Sequence, residues 1–311
     1  VEWEKLSGTN EFVRNGKYSY NAGDAGGRGF PGKDSNIPML SNQEIEIIRP
    51  HFPRGRFRSV FFDFDGTLSL IREGWPRVMI PMMVEVLEQT GTSERAQDLF
   101  AAVEEFVMQL TGRQTIYQMI QLAEEVRKRG GKPLDPVQYK HIYHERLMVH
   151  IRTRLDGLAD GSATPDDWTV PGSRALLENL RQRGLTLYLA SGTDRKDVLR
   201  ETELLGLTTF FGERIFGALD DYKNFSKKMI IERILRDHHL QGEDLLGFGD
   251  GFVEIEEIKR VGGVAVGVAS DEVRRRGIDA WKRDRLIRAG ADIVIPDYRN
   301  PEQLLRLLFA D

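Results

Sequence analysis

Ser59-Val60-Phe61-Phe62-Asp63-Phe64-Asp65-Gly66-Thr67 is the stretch on which the fold turns. Its apolar run is bounded by charge before it and by an acidic turn after it, the profile of a buried strand in a parallel sheet. Asp63 and Asp65 stand two apart. With strand geometry they project to one side while Phe64 turns to the other. Two carboxylates on one side repel unless a cation or a shared proton compensates.

Working outward, the pattern changes from about Trp75 to Asp156. Apolar residues recur there at helical spacing in PRVMIPMMVEVL, AQDLFAAVEEFVMQL, TIYQMIQLAEEV and YKHIYHERLMVHI, with no strand between them. A Gly/Ser/Pro-rich joint at 157–171 follows, and after it helices and strands alternate to the end of the chain, which signals a parallel sheet with crossover helices. The strand at 59–62 has no partner beside it in sequence, so the helical block reads as an insertion into one α/β domain. Toward the amino end, residues 1 to about 40 are polar, with Gly23, Gly26, Gly27, Gly29 and Gly32 close together, and predict an extended or partly disordered arm. A phosphate-cradling loop would need a Lys-Ser/Thr ending that AGDAGGRGFPGK lacks. Leu40 to Pro50 reads as a short amphipathic helix ended by Pro53. The expected division is an arm and short helix at 1–55, an α/β core at 56–72 and 166–311, and a helical cap at 73–165.

Composition narrows the chemistry. With 44 Lys plus Arg against 48 Asp plus Glu, the net charge of −4 gives no polyanion-binding surface, so nucleic acid is not an expected partner. There is no cysteine, which removes disulfides, thiolate metal sites and cysteine nucleophiles. No apolar run approaches the roughly 18 to 20 residues that span a bilayer, and the amino end has no basic segment followed by an apolar one, so no membrane and a cytoplasmic location are expected.

Three strand ends carry polar groups at the carboxyl end: Asp63 and Asp65, then Ser191 and Thr193 after TLYLA, then Asp250 after DLLGF. Ligands of open parallel sheets bind outside those ends. Asp250 beside the two aspartates makes an oxygen-only site that suits Mg²⁺. A calcium loop starting at Asp63 would need Glu at its twelfth position, where Gly74 stands. Gly247-Phe248-Gly249-Asp250-Gly251 lacks the third glycine of a dinucleotide fingerprint. Lys227 and Lys228 open the helix SKKMIIERIL, capped by Ser226, although the helix dipole disfavours cations there. A lysine at a helix start is a good place for a phosphate; the plain alternative is a solvated charged turn. His141, His144 and His150 lack the spacing of a zinc site, and Met79, Met82, Met83, Met108 and Met119 read as core filler.

These residues resemble the haloacid dehalogenase superfamily, whose four motifs occur in order. They are Asp63-Phe64-Asp65-Gly66-Thr67, then Ser191 at a strand end, Lys227 at a helix start, and Gly249-Asp250-Gly251 with Glu254 beyond. The segment Val170-Pro171-Gly172 followed by LLENLRQRG and LYLASGT is similar to the phosphoglycolate phosphatase and β-phosphoglucomutase branch, whose helical cap the insertion resembles. The resemblance implies a Rossmann-like parallel-sheet core and a phosphatase acting on a small phosphorylated metabolite. In it, Asp63 is the nucleophile and Asp65 the acid and base. Mg²⁺ is held by Asp63, Asp250 and the backbone carbonyl of Asp65. Gly66, Thr67, Ser191, Gly192 and Lys227 hold the phosphate, with Lys223 or Lys228 as substitutes for Lys227. Glu254 either reaches Mg²⁺ through water or holds Lys227. An acid at position 65 is absent from the dehalogenases, and ion pumps carry Thr there. A phosphomutase uses the same residues, and a non-catalytic phosphate-binding module is the other class of reading. For substrate choice the candidates are Arg72, Glu73, Trp75 and Arg77, and the cap turn Thr111-Gly112-Arg113-Gln114, where Arg113 suits a carboxylate or second phosphate. A helix end with a solvated arginine is the alternative for that turn.

Overall fold

The structure is a computed structural model that describes residues 45–219 and 225–309. The glycine-rich arm and Lys223 lie outside the described residues. The apolar run at 59–62 forms β2 (Ser59–Phe62), an inner strand of a seven-stranded sheet. It pairs in parallel with β3 (Thr186–Asp194) on one side and β5 (Leu245–Gly249) on the other, with Phe62 opposite Leu189 and Phe248. Beyond β3 lies β4 (Ile215–Ala218); beyond β5 lie β6 (Val264–Val268) and β7 (Ile293–Ile295), all parallel.

One expectation is corrected at the sheet edge. Instead of a helix, Glu46–Ile47 form the short strand β1, antiparallel to β7, with Glu46 opposite Val294. Ile48 N and Arg49 N donate to Asp292 O at 2.8 and 3.0 Å. An exposed edge of β7 offers a ladder of unpaired groups, and the isoleucine-rich Ile45–Ile48 segment satisfies it; β-branched residues favour the extended form.

Helices cover both faces: α5 (Ser173–Gln182), α6 (Arg195–Leu204), the single turn α7 (Thr208–Phe211), α8 (Lys227–Asp237), α9 (Phe252–Arg260), α10 (Ala280–Ala289) and α11 (Pro301–Phe309). Between β2 and α5 the chain forms four helices, α1 (Pro76–Glu88), α2 (Ala96–Gln109), α3 (Thr115–Lys128) and α4 (Pro136–Asp160), and a short 3₁₀ turn. Helix α4 starts at a capping box, with Asp135 accepting from Val137 N and Gln138 accepting from Asp135 N. Its buried residues Tyr139, Tyr143, Leu147, Ile151 and Leu155 recur every four positions and form one stripe. No helix among the described residues is long and apolar enough to cross a membrane.

The sheet divides the core as the period of two requires. Val60 and Phe62 join the larger apolar cluster, and Phe61 points into the smaller one on the opposite face. Phe62 stacks on Phe248 at 4.8 Å between centroids and meets Phe211 edge-on at 6.1 Å, so an aromatic pair on neighbouring strands supports the residues just before Asp63 and Asp250. Phe62→Ala is expected to cost about 3–5 kcal/mol in urea unfolding, whereas Val149→Ala, at a position 50% exposed, should stay within about 0.5 kcal/mol.

Candidate active site

The carboxyl ends of β2, β3 and β5 meet at a cavity of ≈110 Å³ roofed by α1, α3, α4 and the turn before α3. After β2, Asp63 N still donates to Phe248 O, and then Thr67, Leu68 and Ser69 N all converge on Phe64 O in a tight turn. Phe64 is fully buried while Asp63 and Asp65 both line the cavity, the alternation expected from their spacing. Of the other expected site residues, Gly66, Ser191, Gly192, Lys227 and Asp250 line it, as do Arg72, Glu73, Trp75, Thr111, Gly112 and Arg113 from the cap side. Thr67 sits behind Asp63, with Oγ1 donating to Oδ2 at 3.3 Å. Gln114 is buried and donates from Nε2 to Phe225 O at 2.7 Å. Arg77 lies 4.0 Å from Glu73.

Lys227 is the pivot. It is the first residue of α8, whose N-cap Ser226 accepts from Met229 N. Its Nζ lies 2.6 Å from Asp63 Oδ1 and 2.7 Å from Glu254 Oε2, with the side chain 5% exposed. Lys228, by contrast, is exposed. Burial disfavours the ammonium, yet Asp63 and Glu254 outweigh it and push the Lys227 pKa up, so the charge is fixed. Glu254 is fully buried and also accepts from Gly251 N at 2.6 Å. Its direct contact is with Lys227, while its oxygens also lie close to those of Asp63 and Asp250.

Oxygen atoms of Asp63, Asp250 and Glu254 lie within 4.8 Å of one another. Burial pushes the Asp63 carboxyl well up, Lys227 pulls it down, and the Glu254 and Asp250 charges push it up again. Such a set of oxygen donors, with more negative than positive charge at close range, fits a hard divalent cation such as Mg²⁺. Gly66 permits the arrangement. It has φ +75°, and a Cβ there would fall 2.2 Å from Asp250 Oδ2.

Asp65 faces different partners. Its Oδ2 accepts from Ser191 Oγ and Thr193 Oγ1, both at 2.9 Å, and its Oδ1 has no hydrogen-bond partner. Arg72 Nε stands 3.8 Å from that oxygen, while its guanidinium is committed to Glu201 at 2.6 Å and to Asp197 at 3.4 Å. Asp197 in turn receives His144 from α4 at 2.8 Å. Burial opposes the charge on Asp197, but His144 and Arg72 hold its pKa below the usual carboxylate value.

The cap turn closes on the core by backbone approach. A Cβ on Gly251 would lie 3.2 Å from Gly112 Cα, so two glycines make the contact possible. Arg285 secures it, donating to Met108 O, to Gln109 O at 2.8 Å and to Thr111 O at 2.9 Å, with its guanidinium over the rings of Phe252 and Trp281.

Sequence reasoning missed several of these residues. Tyr143 and Gln118 line the cavity but sit in helical stripes that read as core. Glu272 also lines it, and Lys282 joins Asp250 to Glu272; both lie in a charge-rich segment, VRRRGIDAWKRDRL and its flank, that reads as a solvated face. The available signal was a lysine in the first turn of a helix, the same oddity that singled out Lys227.

Because Lys227 is buried between Asp63 and Glu254, removing it leaves two buried carboxylates without their cation. Lys227→Ala is expected to cost about 3–5 kcal/mol in urea unfolding without added metal. Glu124→Ala, which breaks an exposed pair with Arg127, should cost less than about 0.5 kcal/mol; equal losses would contradict the buried clamp.

Residues 57–262 match haloacid dehalogenase-like hydrolases. No curated protein matches the chain in sequence. Among solved structures, similar folds include a protein described as a predicted phosphoglycolate phosphatase from Haemophilus somnus, at 16% identity and TM-score 0.52 over 80% of this chain and 98% of that one. A β-phosphoglucomutase from Clostridium difficile aligns at 14% identity and TM-score 0.53 over 81% and 97%. A predicted phosphatase from Clostridium acetobutylicum aligns at 15% and 0.51 over 80% and 99%. With the family match spanning about two thirds of its length, and the motif residues Asp63, Asp65, Ser191, Lys227 and Asp250 gathered at one cavity, the chain belongs to the haloacid dehalogenase-like hydrolases.

Proposed function

We propose that the protein is a Mg²⁺-dependent phosphatase that hydrolyses a small hydrophilic phosphomonoester, such as a sugar phosphate, through a phospho-aspartate on Asp63. The observation that carries this is Asp63 held by Lys227 at 2.6 Å, with Asp65 on the same cavity. A carboxylate oxygen of Asp63 attacks phosphorus in line and the bond to the substrate alcohol breaks. The leaving oxygen takes the proton of the Asp65 carboxyl. Water then attacks the phosphorus, its proton passes to Asp65, and the bond to Asp63 breaks to release phosphate. Lys227, the Gly192 N–H and the Ser191 hydroxyl, once turned from Asp65, supply donors for the phosphate oxygens, whereas the Gly66 and Thr67 N–H groups expected in that role donate to Ser69 O and Phe64 O instead. Bound by Asp63, Asp250 and the Asp65 carbonyl, Mg²⁺ would offset the repulsion between carboxylate and phosphate.

The cap side supports a small polar substrate. Its wall mixes charged residues, Arg113 and Glu73, with Trp75 and Met79, in a space of only ≈110 Å³. Arg113 is exposed at this turn and lies over the Tyr117 ring at 6.0 Å, where it can meet a second anionic group of the substrate.

One observation favours a second reading. The cap turn already packs on Gly251, and a closed cap that keeps water from the phospho-aspartate is what a phosphomutase needs. Movement of labelled phosphate to a second hydroxyl of the substrate, without free phosphate, would establish that reading instead.

Phosphate release from a generic aryl phosphate with Mg²⁺ is the primary test. Asp63→Asn is expected to abolish it, and equal release by wild type and variant would overturn the enzyme reading, leaving a phosphate-binding module. Asp65→Asn is expected to lower kcat by about 10²–10⁴-fold, because it removes proton transfer, with phosphate binding retained.

A further inference from the structure

We propose that Lys282 is a tethered cation of the metal site, and that with Glu272 it sets how tightly the site binds a divalent ion. The proposal rests on the metal part of the reading above. Lys282 Nζ lies 2.8 Å from Asp250 Oδ2 and 2.5 Å from Glu272 Oε1, and its side chain is 12% exposed. The position is built, since Asp279 caps α10 by accepting from Lys282 N at 2.8 Å, which fixes the first turn that carries the lysine. Nothing local favours a cation there, because the helix dipole opposes it. The attraction comes instead from Asp250 and Glu272, whose oxygens lie together against the backbone of Gly66.

An ammonium sharing Asp250 with a divalent ion repels that ion at short range, and in a buried site the repulsion is weakly screened. Glu272, 2.5 Å from the Lys282 ammonium, offsets it. The two side chains therefore work in opposite directions on metal affinity and nearly cancel as a pair. A lysine that only oriented the Asp250 carboxylate would give the contrary sign, since loss of such a partner weakens metal binding.

The test is calorimetric titration of Mn²⁺ alone into the full chain. Lys282→Met is expected to bind Mn²⁺ at least about tenfold more tightly than wild type, and Glu272→Gln at least about tenfold more weakly. The double variant K282M/E272Q, which leaves the local net charge as in wild type, should return to within about threefold of wild type. Unchanged or weaker binding by Lys282→Met, or unchanged or tighter binding by Glu272→Gln, overturns the proposal. Should Lys282→Met not fold without metal, Glu272→Gln and the double variant decide. A wild type that takes up no Mn²⁺ would instead overturn the metal part of the proposed function, so the two failures are distinguishable.

Discussion

A buried ammonium shared by two carboxylates is the constraint around which the catalytic end of this molecule is arranged. Lys227 touches Asp63 and Glu254 with almost no access to water, and none of the three charges would be tolerable there alone. Their positions come from three separate elements: Asp63 from the end of β2, Lys227 from the start of α8, and Glu254 from the first turn of α9. The parallel register of β2 with β5 is thus not only a matter of core packing. It sets the two strand ends side by side, with Asp63 one residue past Phe62 and Asp250 two past its partner Phe248.

A second set of charges joins cap to core. Arg72, just beyond the first acidic turn, stands between Asp65 and the pair Asp197 and Glu201 on α6, and His144 of α4 reaches the same Asp197. On the opposite side Arg285 grips the end of α2 through three carbonyls. The helical block is therefore held to the core at several places, which also include Gln114 donating to Phe225 O and Lys140 paired with Asp194. Arginine serves at two of them, where its planar guanidinium supports several hydrogen bonds in one fixed geometry.

The strands and helices of the core were largely legible, because each buried strand is a short apolar run and each covering helix carries a clear stripe. The amino-terminal edge strand was not, since Ile45, Ile47 and Ile48 fit an amphipathic helix as well as a two-residue strand, and only the open edge of β7 decides. At the site, Asp63, Asp65, Ser191 and Asp250 were readable from their place at strand ends. Lys227 was readable as an electrostatic oddity, but its choice over Lys228 depends on burial, which no spacing encodes. Arg72 reads as a residue facing the substrate; it lines the cavity, yet its guanidinium is spent on acidic partners 125 and 129 positions along the chain. Glu272 and Lys282 were hidden among surface-type charges, and only tertiary contact brings them to Asp250.

The central claim is that Asp63 carries the phosphoryl group, and direct capture of that bond tests it most simply. The enzyme is quenched during turnover of an aryl phosphate and treated with borohydride, which reduces an acyl phosphate to an alcohol, and its peptides are mapped by mass spectrometry. Homoserine at position 63, dependent on substrate, is the expected result. Turnover with Asp63 unmodified, or with the reduced residue elsewhere, would contradict it.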